Sequence, residues 1–298
     1  MSPLSHRHNA PDFYVGDEAI SKQSILNLKY PVERGIVTDW KAMEQVWQHA
    51  IYKVLDGAES AEECAVLVTE SPLNPKANRE KITEVWFDKL GASDIYIATQ
   101  AVLSLYGSKS YTASFNTGIS LDSGGGVTHI VPVYEGHVLP HAVKRLELGG
   151  NDLAEYTDGQ TTLCQDGQHR CVQPLFKPTL LRYDDVTLVG IHKLTYELIM
   201  ECDVDIHKDL CSNIVLSGGN TIFPGMADRL QKEVQALFPP TMRVKAFAPP
   251  EPGESAWVGG SMLCSSQFDR LVPGRLESFV HHDEYMETGP SIVHRKCF

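Results

Sequence analysis

The sequence predicts an α/β protein of two lobes, and three observations carry that expectation. Short β-branched runs alternate with amphipathic helical stripes in the N-terminal third, the pattern of a covered, largely parallel sheet. A strand leading into a glycine turn occurs twice, around Asp122 and around Gly218, as a duplicated nucleotide-binding unit would have it. The chain has 298 residues, 42% hydrophobic and 21% charged, enough for two cores.

The elements follow in order. Trp40, Met43, Trp47, Ile51 and Val54 recur at helical spacing, with Thr38 placed to cap the helix. The run Cys64–Thr69 is apolar and β-branched, a buried strand that ends at Glu70-Ser71-Pro72. Asn74-Pro75 then offers a cap followed by proline at the first helical position, with Ile82, Val85, Trp86 and Leu90 as the stripe. Asp94–Thr99 reads as a strand and Gln100–Tyr106 as a short apolar helix, and the polar stretch 107–116 marks a lobe boundary. Ile119–Val133 reads as two strands around three glycines. The stretch 149–183 has little periodic hydrophobicity and is expected to be irregular. Leu188, Ile191, Leu194 and Leu198 restore a helix, Asn213–Leu216 a strand, and the chain from Pro224 through Leu230, Val234 and Leu237 another helix.

Composition excludes several functions. With 38 acidic against 26 basic side chains the net charge is −12, which repels a phosphate backbone, so nucleic-acid binding is not expected. The mean hydropathy is −0.19 and no run approaches the roughly 18 apolar residues of a spanning helix, so membrane insertion is not expected either. Met1–His8 lacks the apolar segment of a secretory leader, and seven scattered cysteines without a C-x-x-C suit a reducing compartment; both predict a cytoplasmic protein. Cys164, His169 and Cys171 are too few and wrongly spaced for a zinc site, and His6/His8 and His281/His282 read as solvated surface.

Two turns carry the chemistry. A glycine turn presents unobstructed N–H groups to a phosphate, and a carboxylate just before it can hold Mg²⁺ through water; Asp122-Ser123-Gly124-Gly125-Gly126 meets both needs, although such hairpins also serve as plain turns. Gly218, Gly219, Ile222 and Phe223 offer backbone and apolar surface to a purine if both turns face one site. Gln100 and His129 lie beside these strands, either as interior polar residues or as groups that orient a water for attack on a terminal phosphate.

A long ordered series of segments now resembles the actin family: Tyr14–Ala19, Leu28–Pro31, Gly35–Thr38, Thr69–Glu80, Gln100–Tyr106, Gly126–His129, Val215–Gly219 and Gly289–Phe298. The resemblance implies the two-lobed ATPase fold shared with sugar kinases and heat-shock chaperones, an ATP-linked cytoskeletal protein, and, as partners, other actin subunits and actin-binding proteins. It implies roles residue by residue: Asp122 for Mg²⁺, Gly124, Gly126 and Val127 for phosphate, Gly218, Gly219, Ile222 and Phe223 against adenine, and Gln100 and His129 around the attacking water. It also implies a division into a remnant of a small outer subdomain (1–30), an inner subdomain of the first lobe (31–107 and 254–298), an inner subdomain of the second (108–148 and 187–253) and a remnant of the second outer subdomain (149–186). Tyr106 and the region of Phe279 resemble the family's apolar docking cleft between the inner lobes.

The chain also departs from the family's pattern. It has no counterpart of the first phosphate hairpin with its metal-associated Asp, and the long helical section expected between Tyr156 and Asp158 is missing, with a Lys and a Glu that face the adenosine. Gly125 stands where the family has Asp, Gly253 where it has a nucleotide-facing Lys, and Arg34 where it has a modifiable His; extra residues fall around Ser108–Asn116 and Val272–Leu276. Hydrogen bonds to charged groups are worth roughly 1.5–3 kcal/mol each, so losing two or three predicts ATP or ADP affinity weakened about a thousandfold and at most a weak Mg²⁺-dependent ATPase. The competing expectation is an actin-related scaffold without nucleotide.

Overall fold

The computed structural model describes residues 13–57, 60–110, 112, 114, 116–158, 171–181, 189–265 and 276–297. A two-stranded hairpin, β1 (Val32–Glu33) with β2 (Ile36–Val37), precedes the helix Trp40–Val54. That helix is capped by Asp39, whose Oδ1 accepts from Ala42 N at 3.0 Å; Thr38, the expected cap, sits one residue too early. Only Ile51 of its stripe is buried, while Trp47 reaches Trp86 with ring centroids 5.5 Å apart.

The first sheet is built from β3 (Ala65–Glu70), β4 (Asp94–Thr99) and β11 (Val280–His281), in the order β11-β4-β3. β3 and β4 run parallel, from Ala65 opposite Asp94 to Glu70 opposite Thr99. The helix Lys76–Glu84, which continues as a π-helical turn Val85–Lys89, covers this sheet with Ile82, Val85, Trp86 and Phe87 against Ile95, Ile97 and Val280. Pro75 rather than Asn74 occupies the cap position, because the Asn74 amide instead donates to Glu70 Oε2 at 3.0 Å.

The second sheet carries β5 (Gly118–Ser123), β6 (Thr128–Tyr134), β7 (His137–Val138), β8 (Lys144–Leu146), β9 (Ile214–Ser217) and β10 (Ala246–Phe247). Its order is β10-β9-β5-β6-β7, with β8 also on β6. Side chains alternate between its faces. Ile119, Leu121, Ile130, Ile214 and Leu216 share a core with the helices Ile191–Glu201 and Met226–Gln235. Val131, Val133 and Val215 on the other face pack on Ala101 and Leu105 of the helix Gln100–Gly107. That helix also meets the helix Ser255–Leu263, where Gly107 and Gly259 permit backbone contact.

The irregular expectation for 149–183 fails at its start, because residues Gly150–Asp158 form a helix. Its apolar content is too small to signal one; the Asp152 carboxylate accepting from Gly149 N at 2.8 Å and contacts to a distant loop hold it. Leu188, Cys164, His169 and the His6/His8 pair lie outside the described residues. Among the described residues no group of three His, Cys, Asp or Glu side chains could hold a metal, and no helix is long and apolar enough to cross a membrane. Tyr106 and Phe279 are both buried, the latter stacked on Tyr96 at 5.4 Å, so neither ring offers itself as docking surface.

Candidate functional site

The hairpin β5–β6 pairs Ser123 with Thr128 and Asp122 with His129, leaving residues 124–127 as the turn. Parallel pairing of β5 with β9 sets Ser217 beside Asp122, and β8 sets Arg145 beside His129. Ser217, Asp122, His129 and Arg145 therefore form one polar row across four strands, at the end of the face that is otherwise valine packed on the helix Gln100–Gly107. Gln100 opens that helix and makes no hydrogen bond to Asp122 or His129 among the described residues.

The glycine loop is held by its carbonyls. Gly124 O accepts from Gly150 N at 2.9 Å and from Asn220 Nδ2 at 2.7 Å, Gly125 O from Asn151 N at 2.8 Å, and Gly126 O from Arg34 Nη1 at 3.1 Å. A peptide unit is planar and trans, so each pinned carbonyl also fixes the direction of the next residue's N–H. The N–H groups so fixed belong to Gly125, Gly126 and Val127, and among the described residues none of them has an acceptor. Gly124 N already donates to Val127 O at 3.0 Å. Successive amides without acceptors in a turn are the kind of group that binds an anion, although Val127 N lies close against the Gly149 backbone, where an added Cβ would come within 2.6 Å of it.

The second turn lies against the first. A Cβ on Gly218, at φ 84°, would come within 2.3 Å of Ser123 O and 2.5 Å of Asp122 Oδ1. Asn220 Nδ2 reaches Ser123 Oγ at 3.1 Å as well as Gly124 O. Gly219 faces open space, Ile222 is 63% exposed, and Phe223 is half-buried against the second-sheet core. The two glycine turns thus share one place, with an exposed aliphatic side chain at its rim.

Electrostatics set the protonation. Burial pushes the Asp122 carboxyl up, and the Ser217 hydroxyl beside it offsets part of that rise without completing a hydrogen bond of ordinary geometry. Burial, and secondarily the Arg145 guanidinium, push the His129 imidazole down to about 4, against an opposing pull from Glu147. His129 is therefore neutral at pH 7. Among the described residues its Nε2 has no hydrogen-bond partner, nor have the hydroxyls of Ser120 and Ser217, and all three residues lie on the Asp122 face of the sheet. Buried polar atoms are normally paired, so such a cluster suits a polar occupant. A cavity of about 770 Å³ lies elsewhere, between residues 13–32 and the helix Trp40–Val54, and shares no residue with either turn.

The model of the actin family matches residues 2–161 and 155–298. The chain belongs to the actin family. Its mixed sheets and helices agree with an actin-like fold, and the two matched segments overlap at residues 155–161. Sequence reasoning singled out Arg34 only as a departure from the family's pattern, and it gave no role to Asn220, Ser217 or Arg145. The pairing of Asp122 with His129 was legible in principle, because a four-residue turn after Ser123 puts those two residues opposite one another.

Proposed function

We propose that this actin-family protein binds ATP or ADP with Mg²⁺ through the second-lobe half of the family's site and acts in the cytoskeleton, in or on filaments. One observation carries the reading: among the described residues the three amides of Gly125, Gly126 and Val127 have no acceptor, in a loop whose carbonyls at Gly124, Gly125 and Gly126 are engaged, beside the carboxylate of Asp122. In this reading those amides hold phosphate oxygens, with Gly125 in place of the expected Gly124, whose N–H is spent on Val127 O at 3.0 Å; Asp122 holds the metal through water, and Gly218, Gly219, Ile222 and Phe223 border the adenine. Mg²⁺, when bound, neutralises charge on the phosphates. The neutral His129, with a lone pair or N–H at Nε2, orients a water, and Gln100 assists from the helix start. Domain boundaries at 31–107 with 254–298 and at 108–148 with 187–253, flanked by reduced outer subdomains at 1–30 and 149–186, go with this proposal.

The alternative, a scaffold without nucleotide, draws support from Gly125, where the family's Asp is absent, and from Gly253, which faces open space where the family has Lys. Thermal melting with and without MgATP, followed by sedimentation, separates the two. A rise in Tm and a pelleting fraction support the first reading; a folded protein that shows neither supports the scaffold.

A further inference from the structure

We propose that the open edge of the first sheet is an interface that pairs β3 with β3 of a second copy of this chain, antiparallel across a twofold axis. This interface does not depend on the nucleotide reading. In the order β11-β4-β3 the strand β3 is terminal, and among the described residues no strand or loop hydrogen-bonds to its outer side.

Two contacts fix which groups face outward. Along a strand the N–H and C=O of one residue point to the same side, and the side alternates with each residue. Cys64 O accepts from Ser93 N at 3.1 Å, so Cys64 turns toward β4, and Val66, Val68 and Glu70 turn with it. Ile97 N donates to Cys297 Sγ at 3.4 Å, away from β3, which leaves the bonds toward β3 to Tyr96 and Ala98 and agrees with that phase. Ala65, Leu67 and Thr69 therefore present their N–H and C=O groups outward.

Nothing within the strand protects that edge. Monomeric proteins blunt such edges with lysine, proline or a bulge. Residues 64–69 carry neither charge nor proline, and the pairing with β4 runs unbroken from Ala65 to Glu70. Val66 and Val68 pack in the core beneath the helix Lys76–Glu84, and Leu67 packs with Leu103 on the other face, so β3 is held between two layers and cannot curl away. The side chains of Ala65 and Thr69 are exposed.

A second copy matches this edge through its own symmetry. The three outward residues are evenly spaced about Leu67, so a twofold axis there sets Ala65 opposite Thr69 of the other copy and gives every outward N–H a carbonyl. Such a contact closes on itself at two chains. Charge agrees at both ends: exposed Glu62 and Glu63 precede the strand, exposed Lys76 opens the helix that follows it, and antiparallel copies bring acid toward base.

Sedimentation equilibrium of the full chain, with a chelator and without nucleotide, should show a mass that rises with concentration and levels at twice 33.0 kDa. Hydrogen exchange in the concentrated sample should slow the Leu67 and Thr69 amides about tenfold relative to a dilute one, as mass action gives when most chains are paired, while Val66 and Val68 stay equally protected in both. Thr69→Pro deletes one outward donor and no bond to β4, and should leave a folded monomer. Two double variants at the exposed positions test the register and replace the proline variant if it fails to fold. Ala65→Lys with Thr69→Lys sets lysine opposite lysine twice and should weaken association about tenfold, whereas Ala65→Lys with Thr69→Glu sets opposite charges together and should retain it. A wild-type mass of one chain at every concentration overturns the proposal. So do edge amides that are equally protected at every dilution, the sign of a cover from within the same chain, and so do two double variants that associate alike.

Discussion

At Gly218 a methyl group has nowhere to go: two atoms of the neighbouring turn and the Asp122 carboxylate fill the space, and φ is already 84°. Gly218→Ala should cost about 3 kcal/mol, from backbone strain plus overlap with backbone atoms, and Gly219→Ala only about 0.5 kcal/mol, because its Cβ enters open space. Urea titration of the two variants checks the contrast. His129 makes a pH prediction. Its folded pKa, about 4, lies below the ordinary 6.5, so the native state prefers the neutral ring. Full stability is present above pH 6.5 and falls as the pH drops toward 4, because the unfolded chain binds the proton first. The loss amounts to roughly 3 kcal/mol over that window. His129→Gln should flatten this acid limb in melts run with a chelator present; an unchanged limb would place the sensitivity elsewhere. Asp122 and His129 were both legible as sequence, since each flanks a glycine turn. What they touch was not, because Ser217 and Arg145 reach them only through strand pairing across long separations.

Elements were legible where local pattern and burial agree. β3, β4, β5 and β6 stand close to where their β-branched runs predict, and the helices Gln100–Gly107 and Ile191–Glu201 follow their apolar stripes. The helix Gly150–Asp158 was illegible because Gly150 N and Asn151 N find their acceptors in a loop far back in the chain. Helix contact supplies the element-scale prediction. A Cβ on Gly259 would lie 1.8 Å from Leu103 O, whereas one on Gly260 would meet only the side-chain ends of Leu67 and Leu103 at 3.5 and 3.8 Å. Gly259→Ala forces the helices Gln100–Gly107 and Ser255–Leu263 apart and should cost about 3 kcal/mol, the upper range for overpacking. Gly260→Ala should be nearly silent. Differential scanning calorimetry of both variants reads the difference, and equal melting temperatures would contradict the packing described.

On the scale of the whole molecule, two sheets with separate cores meet through the helix Gln100–Gly107 and the β1–β2 hairpin, and the site lies where the hairpin rests on the glycine loop. The two-sheet plan could be read from alternating strands and helices. The joining of the two glycine turns could not, because Asn220 bridges them with a side-chain amide and no spacing rule encodes that. The most direct measurement is calorimetric titration of the purified, monodisperse protein with MgATP, with Asp122→Ala as the control. The expected result is binding in the micromolar range or weaker that the substitution abolishes. A folded wild-type protein that releases no heat at millimolar ATP, or an Asp122→Ala variant that binds as well as wild type, would contradict the assignment of this site to nucleotide.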